Sequence, residues 1–424
     1  MGFLAVMMME PATVRPSGEL ISGGTITLEA VSYGTKHELH ANPVHRLLQW
    51  LPKDLKRRLK ITEPEVMTSK DPGLGIWIGL RNLFKDHPNL DYRILDESGI
   101  EIEASKLTSH WGRGTKAERQ QGIVLRSFPR RSKSFLLRVY ERDEKWKSQR
   151  VAEFKISNPT PGTYAEWKPE PDLTRKKDGN LEVQLISVSL VPEGRGRDVS
   201  VSEGDKIRAV AKFRVFESGE PSMDWQPDGV VMSDATGNEL KQSSWSKDLE
   251  KETGIVSLSW GPTLWLSEKV WKLKFEFTRK QTAKFSPGEI WKISNLAVPG
   301  SNSVTQVNLV TNLNGHEIEL IGMSSEDGKY RDYDGQHNSD GFMIDVRATP
   351  PLLDKQIDVI AVVDETGREA TGSRRAWSRG SGTYGFGLKF HNQAKSLDIT
   401  IAVHQSRYIE FVVEPKLTKK AESK

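Results

Sequence analysis

Three times along this chain of 424 residues an apolar run ends in the same punctuation: an acid, any residue, a serine or threonine, and a glycine. The copies are Tyr92-Arg-Ile-Leu-Asp96-Glu-Ser-Gly99, Val230-Val-Met-Ser-Asp234-Ala-Thr-Gly237 and Ile360-Ala-Val-Val-Asp364-Glu-Thr-Gly367. Each is followed by a tryptophan, Trp111, Trp245 and Trp377 in turn, and then by an alternating strand. A unit recurring at roughly 130 residues predicts three tandem domains in place of one large enzyme fold.

The length suits that reading, since about 130 residues can bury a core of their own. Charged residues make up 28% of the chain and hydrophobic ones only 36%, so the surface is expected to be wet. A net charge of +4 is the remainder of 61 basic and 57 acidic residues, which is too balanced for nucleic-acid binding by the whole chain. There is no cysteine, which excludes disulfides, thiolate nucleophiles and cysteine-bound metals.

The start, Met1-Gly-Phe-Leu-Ala-Val-Met-Met-Met9, is short for a signal-peptide core and lacks a basic opening. A helical span needs about 20 apolar residues, and no segment approaches that. Read as written, the chain is expected to be soluble, cytoplasmic and without a transmembrane segment. A true start further upstream would make this stub the end of a signal or anchor and move the protein to the cell envelope.

Strand text dominates. Ile207-Arg-Ala-Val-Ala-Lys-Phe-Arg-Val215 and Trp271-Lys-Leu-Lys-Phe-Glu-Phe277 alternate apolar and polar residues, the pattern of antiparallel sheet with one wet face. In Leu181–Leu190 the apolar phase shifts between Leu185 and Ile186, which predicts a bulge. Aligned openings (Leu28–Ser32, Val183–Ser187, Ile318–Gly322) and closings (Glu153–Asn158, Glu289–Asn295, Tyr408–Val413) set the boundaries. Residues 1–19 form a flexible N-terminus, 20–158 a first β-sandwich, 159–179 a Pro-rich linker, 180–298 a second sandwich, 304–415 a third, and 416–424 a charged tail. The expected fold class is all-β: three tandem antiparallel sandwiches of immunoglobulin-like type with a short helical insertion in the first.

That insertion, about 41–70, holds the convincing helical text. Leu47, Leu51, Leu55 and Leu59 recur every four residues beside Trp50, and Pro52 suits a first helical turn. Arg46, Lys53, Lys56, Arg57, Arg58 and Lys60 stand against one acid, Asp54. A basic amphipathic helix of this kind either caps its own sandwich or lies on an anionic membrane or in a partner groove. For the contact reading the residues are Leu47, Trp50, Leu51, Arg57 and Arg58.

A second surface is offered by tryptophans. Six of the twelve lie between Trp225 and Trp291. Trp225 and Trp260 sit in turn contexts and are the candidates for stacking on a glycan. Trp271 and Trp291 fall in strand phase and read as core, and the repeated Trp111, Trp245 and Trp377 read as one packing position used three times. The acidic loop 326–340 resembles calcium text, but its spacing fails the EF-hand and Lys329 and Arg331 dilute its charge. Gly380-Ser-Gly382-Thr-Tyr-Gly385 matches GxGxxG literally, but it runs into a strand where a dinucleotide site needs a helix. Basic Pro129-Arg-Arg-Ser-Lys133 lacks interleaved aromatics, so nucleic acid is not expected as a partner. No serine-hydrolase elbow, HExxH, P-loop or kinase signature occurs, so neither catalysis nor a cofactor is expected.

On pattern and repeat, the chain resembles the diffuse class of uncharacterised bacterial proteins built from tandem immunoglobulin-like β-sandwiches. The resemblance covers nearly the whole chain at the level of architecture and carries over no site residue. The leading functional reading of the residues themselves is a non-enzymatic interaction or scaffold protein, with the basic helix against a membrane surface or protein. The alternative is carbohydrate or cell-envelope binding through the tryptophans of the second unit.

Overall fold

The computed structural model describes residues 16–40, 48–61, 63–83, 88–97, 99, 101–112, 118–143, 147–192, 207–243, 246–250, 253–265, 267–300, 303–326, 341–389 and 394–417. The repeated punctuation is one hairpin turn used three times. Asp234 Oδ1 accepts from the Thr236 N–H at 2.9 Å, the Thr236 hydroxyl at 2.6 Å and the Asn238 N–H at 3.2 Å. Asp364 Oδ1 repeats this with Thr366 N, Thr366 Oγ1 and Arg368 N at 2.9, 2.7 and 2.9 Å. In all three copies the glycine N–H closes back on the aspartate carbonyl, Gly99 on Asp96, Gly237 on Asp234 and Gly367 on Asp364. Each glycine has φ between 77 and 86°, a left-handed backbone that disfavours any Cβ.

The described residues are mostly strand, arranged as sheets that are antiparallel but for the short parallel pairing of Lys416–Leu417, around three principal hydrophobic clusters. Around the first, one sheet runs Ser17–Glu19, Thr25–Leu39, Glu65–Arg81, Glu118–Leu125, Lys106–Trp111, and faces another running Glu101–Glu103, Leu90–Leu95, Ser134–Arg142, Ser148–Ser157. Around the second, one sheet runs Arg175–Asp178, Leu181–Pro192, Ile207–Glu217, Ile255–Trp260, Ser246–Glu250. It faces Glu239–Ser243, Trp225–Asp234, Trp271–Arg279, Arg407–Val413. Around the third, eight strands from Ile290–Ala297 to Val304–Leu313 fold over Phe386, Ile399 and their neighbours. The bulge foreseen near Ile186 is present, as a register shift between Leu185 and Ser187.

Two strands exchange places relative to the alignment of repeats. Ile290–Ala297, aligned as the close of the second unit, pairs with Ser396–Val403 and sends Ile293 and Leu296 into the third cluster. Arg407–Val413, aligned as the close of the third, pairs with Trp271–Arg279 and sends Ile409 and Phe411 into the second cluster. The physical reason is that an alternating strand exposes the same apolar face to either neighbour, so period two fixes its existence and not its partner. The second pair of sheets is therefore closed by a segment that follows the third cluster in sequence.

The ends also differ from expectation. Ser17–Glu19 is a strand on Thr25–Thr27, within the segment read as flexible. The Pro-rich stretch is tied down along its length: Arg131 reaches the carbonyls of Tyr164 and Ala165, Lys272 sits 5.1 Å from the Trp167 ring, and Glu170 N–H donates to Val412 O at 2.8 Å. In the insertion, the helix spans only Lys53–Arg58. Residues 48–50 form a turn, and the strand Glu65–Arg81 begins inside the range read as helical.

Side chains lock the units together. Trp265 leaves the second pair of sheets and is buried in the first cluster. Asn238 accepts from the Phe128 N–H at 3.3 Å and donates to its carbonyl at 3.0 Å, across the same junction. At the next junction His404 Nε2 accepts from the Arg279 N–H at 3.2 Å, and Lys355 pairs with Glu276 and with Asp228 at 3.2 Å.

Candidate functional site

The site is built by the two longest strands among the described residues. Thr25–Leu39 and Glu65–Arg81 pair over most of their length, from Thr25 opposite Arg81 to Leu39 opposite Glu65, with residues 69–72 left out of register. Their neighbour Glu118–Leu125 pairs only from Leu74 to Arg81, so beyond Gly34 and Gly73 the ribbon leaves the sheet as a two-stranded arm. A register shift between Gly34 and Lys36 marks the bend, with Gly34 at φ 144°.

The arm lies back over the outer face of its own sheet. Leu39 and Met67 from the arm join Trp77 and Val124 from the sheet in a separate small cluster. Two glycines make the room: a Cβ on Gly75 would overlap the His37 ring, and one on Gly122 would press on the Trp77 ring and the Met67 sulfur. His37 is buried, with Nδ1 2.8 Å from the Ser32 hydroxyl and Nε2 without a hydrogen-bond partner. Burial holds its pKa below the ordinary histidine value, opposed by a backbone hydrogen bond at Gly34. His110 adds an edge-on contact to Trp77 and stands 3.6 Å from Glu65 at the far end of the arm.

At the tip, the turn at 48–50 leads into the helix Lys53–Arg58, with Pro52 at its N-cap. Lys60 takes φ 51° and the Ile61 N–H closes on Lys56 O at 2.9 Å, which ends the helix. Ile61 is buried, but no residue of the helix is. Trp50 is 79% exposed, Leu55 46% and Leu59 54%. Leu51 is half-buried, and Arg57 and Arg58 are exposed. The Arg57–Asp54 pair at 3.2 Å is fully in solvent and contributes little. Lys56 donates to Gln49 at 3.1 Å. The result is an apolar, cationic knob on a docked arm. Leu47 falls outside the described residues.

The tryptophans named for glycan binding are not on the surface. Trp225 is 2% exposed with the Arg279 guanidinium 4.7 Å over its ring, and Trp260 is 0% exposed against Phe275. Turn-like neighbours misled the reading, because both rings enter from strand termini into the second cluster. Trp271 is buried as its phase predicted, whereas Trp291 packs on the third cluster. Trp111 ends its strand exposed, Trp245 lies outside the described residues, and so does the Trp377 side chain.

The other motifs have structural roles or lie out of view. Ser381 and Gly382 are the turn between Thr371–Gly380 and Thr383–Lys389, with φ 51 and 74°. Arg130 sits over the Tyr33 and Phe128 rings, and Arg131 bonds Glu268 at 2.8 Å, so this basic stretch serves a junction. The acidic loop lies, past Glu326, outside the described residues. Among the described residues no group of three or more histidine and carboxylate side chains is placed to hold a metal ion. No described helix is long and apolar enough to cross a membrane. Compared with protein-family models and with curated proteins, the chain finds no match in either.

Proposed function

We propose that this is a non-enzymatic interaction protein, and that the tip of the arm, residues 48–60, is its contact element for an anionic membrane surface. The observation that carries the reading is the orientation of the helix. A helix that capped its own sandwich would bury its leucines, whereas Leu55 and Leu59 are open to solvent beside Trp50. Lys53, Lys56, Arg57, Arg58 and Lys60 flank them against Asp54 alone. Apolar groups ringed by cations suit the headgroup boundary, where tryptophan also partitions. Glycan binding has no such support, since Trp225 and Trp260 are buried.

Vesicle co-sedimentation tests it. The full chain should bind vesicles containing phosphatidylserine, bind phosphatidylcholine vesicles weakly, and lose binding as salt rises. Arg57→Glu/Arg58→Glu changes the local charge by four, worth about 4 kcal/mol or roughly a thousandfold at about 1 kcal/mol per charge. Trp50→Ala/Leu55→Ala should weaken binding at every salt concentration. Binding that ignores both variants, or no binding to any vesicle, would return the helix to a purely structural part.

A further inference from the structure

The strand Val304–Leu313 ends the eight-stranded sheet, paired on one side with His316–Glu326 and with no described strand on the other. A strand so placed presents a row of backbone N–H and C=O groups to any extended chain that can meet it. Its sequence, Val-Thr-Gln-Val-Asn-Leu-Val-Thr-Asn-Leu, holds no charge and no proline in ten residues. Every other strand that ends a sheet among the described residues carries at least one charged side chain, as with Glu19, Lys106, Lys292 and Arg407. Charges on an edge keep sheets from joining, because pairing would desolvate them or set like against like. Among the described edges this one lacks that protection.

A bulge limits where a partner strand can lie. The register against His316–Glu326 shifts between Gln306 and Leu309, and Asn308 takes φ 53°, which an extended partner cannot follow. Past it the pairing is unbroken, from Leu309 opposite Leu320 to Leu313 opposite His316. Apolar surface is left open in this same stretch. Val310, opposite Glu319, is 55% exposed on the outer face. Leu309 shares the core side with the buried Leu320, yet it is 41% exposed, with no described strand beside it.

We propose that 309–313 pairs antiparallel with the same segment of a second copy of this chain, about a two-fold axis at Thr311. Thr311 then stands opposite its own copy, Leu309 opposite Leu313, and Val310 opposite Asn312. The segment is compatible with itself read backwards: a threonine pair at the centre, leucines at the ends, and no like charges in apposition. The nearest charges, Glu317 and Glu319, lie one strand further in, and Arg347 bonds Glu319 at 2.9 Å. A partner recognised by charge would find nothing to read on this edge, whereas an identical neutral strand meets no repulsion at any position.

Sedimentation velocity of the full chain over a concentration series tests this, with a reversible dimer expected. Val310→Lys should weaken it about tenfold, because the two lysines meet diagonally across the axis, and Val310→Glu should do the same. An equimolar mixture of the two variants should recover the dimer, which also certifies that both are folded. The chain has no cysteine, so a single introduced thiol reports the axis directly. Thr311→Cys should form a disulfide-linked dimer about tenfold or more faster than Val304→Cys, which is 68% exposed but on the other side of the bulge. Monomers at every concentration would leave the edge to a strand of another protein and overturn the assignment. A dimer that keeps its affinity in Val310→Lys, or equal cross-linking at the two positions, would overturn it as well.

Discussion

Asn238 is the residue on which the first junction turns. Its side chain is buried and meets both backbone groups of Phe128, and it also donates to Asp234 Oδ2 at 2.9 Å. Asn238→Ala strands the Phe128 N–H and C=O away from water, which costs about 2–3 kcal/mol. A fall in the thermal midpoint is therefore expected, whereas Thr366→Ala, in the exposed third copy of the turn, should cost under about 1 kcal/mol. This contrast was half legible in the sequence. The aspartate-to-glycine turn is local chemistry within five residues and could be read directly. That the second copy would be buried against another unit, and the third left in solvent, depends on contacts between residues 110 positions apart.

Among the elements, the arm is held to its sheet by few groups. Its docking rests on a small cluster of four buried residues, on the space at Gly75 and Gly122, and on a neutral His37. Gly75→Ala pushes a methyl into the His37 ring and should open the arm, seen as faster amide exchange at 36–39 and 65–68. Gly75→Ala/His37→Ala should restore much of the protection, since the second change removes what the first collides with. Acid acts in the same direction. A histidine whose folded pKa lies below the ordinary 6.5 is kept neutral by the fold, so its contribution is complete above pH 6.5 and is lost as pH falls below it. Exchange at the arm, corrected for intrinsic rate, should rise between pH 7.5 and 5.5, and His37→Gln should flatten that rise. The leucine spacing announced a helix here, and one exists, but it is six residues long and held at its end by Ile61. What the periodicity did not contain is the ribbon beneath it, because a bend at glycine and a fold back over Trp77 are set by sheet geometry.

At the scale of the molecule, the junction between the second and third clusters carries its own acid sensitivity. His404 must accept from Arg279 N–H through Nε2, and burial pushes its pKa down to about 4, with Glu289 opposing and Arg279 adding to the shift. The stabilisation is present above pH 6.5 and disappears as pH falls from there toward 4, an effect on the order of 3 kcal/mol. Denaturant midpoints measured across that window should decline, and His404→Gln should shallow the decline. The alternating strands made an all-β chain with repeated turns plain from the sequence, but the exchange of Ile290–Ala297 and Arg407–Val413 was hidden, because alternation is silent about partners. That exchange has a consequence in time. Trp271–Arg279 leaves the ribosome with its outer edge bare, and the strand that covers it, Arg407–Val413, is made about 130 residues later. At about 5–20 residues per second the nascent chain spends roughly 6 to 26 seconds with an unpaired hydrophobic edge. A cell making this protein must keep that edge from other nascent chains until Arg407–Val413 has been made, and any stop codon before Arg407 turns a temporary exposure into a permanent one.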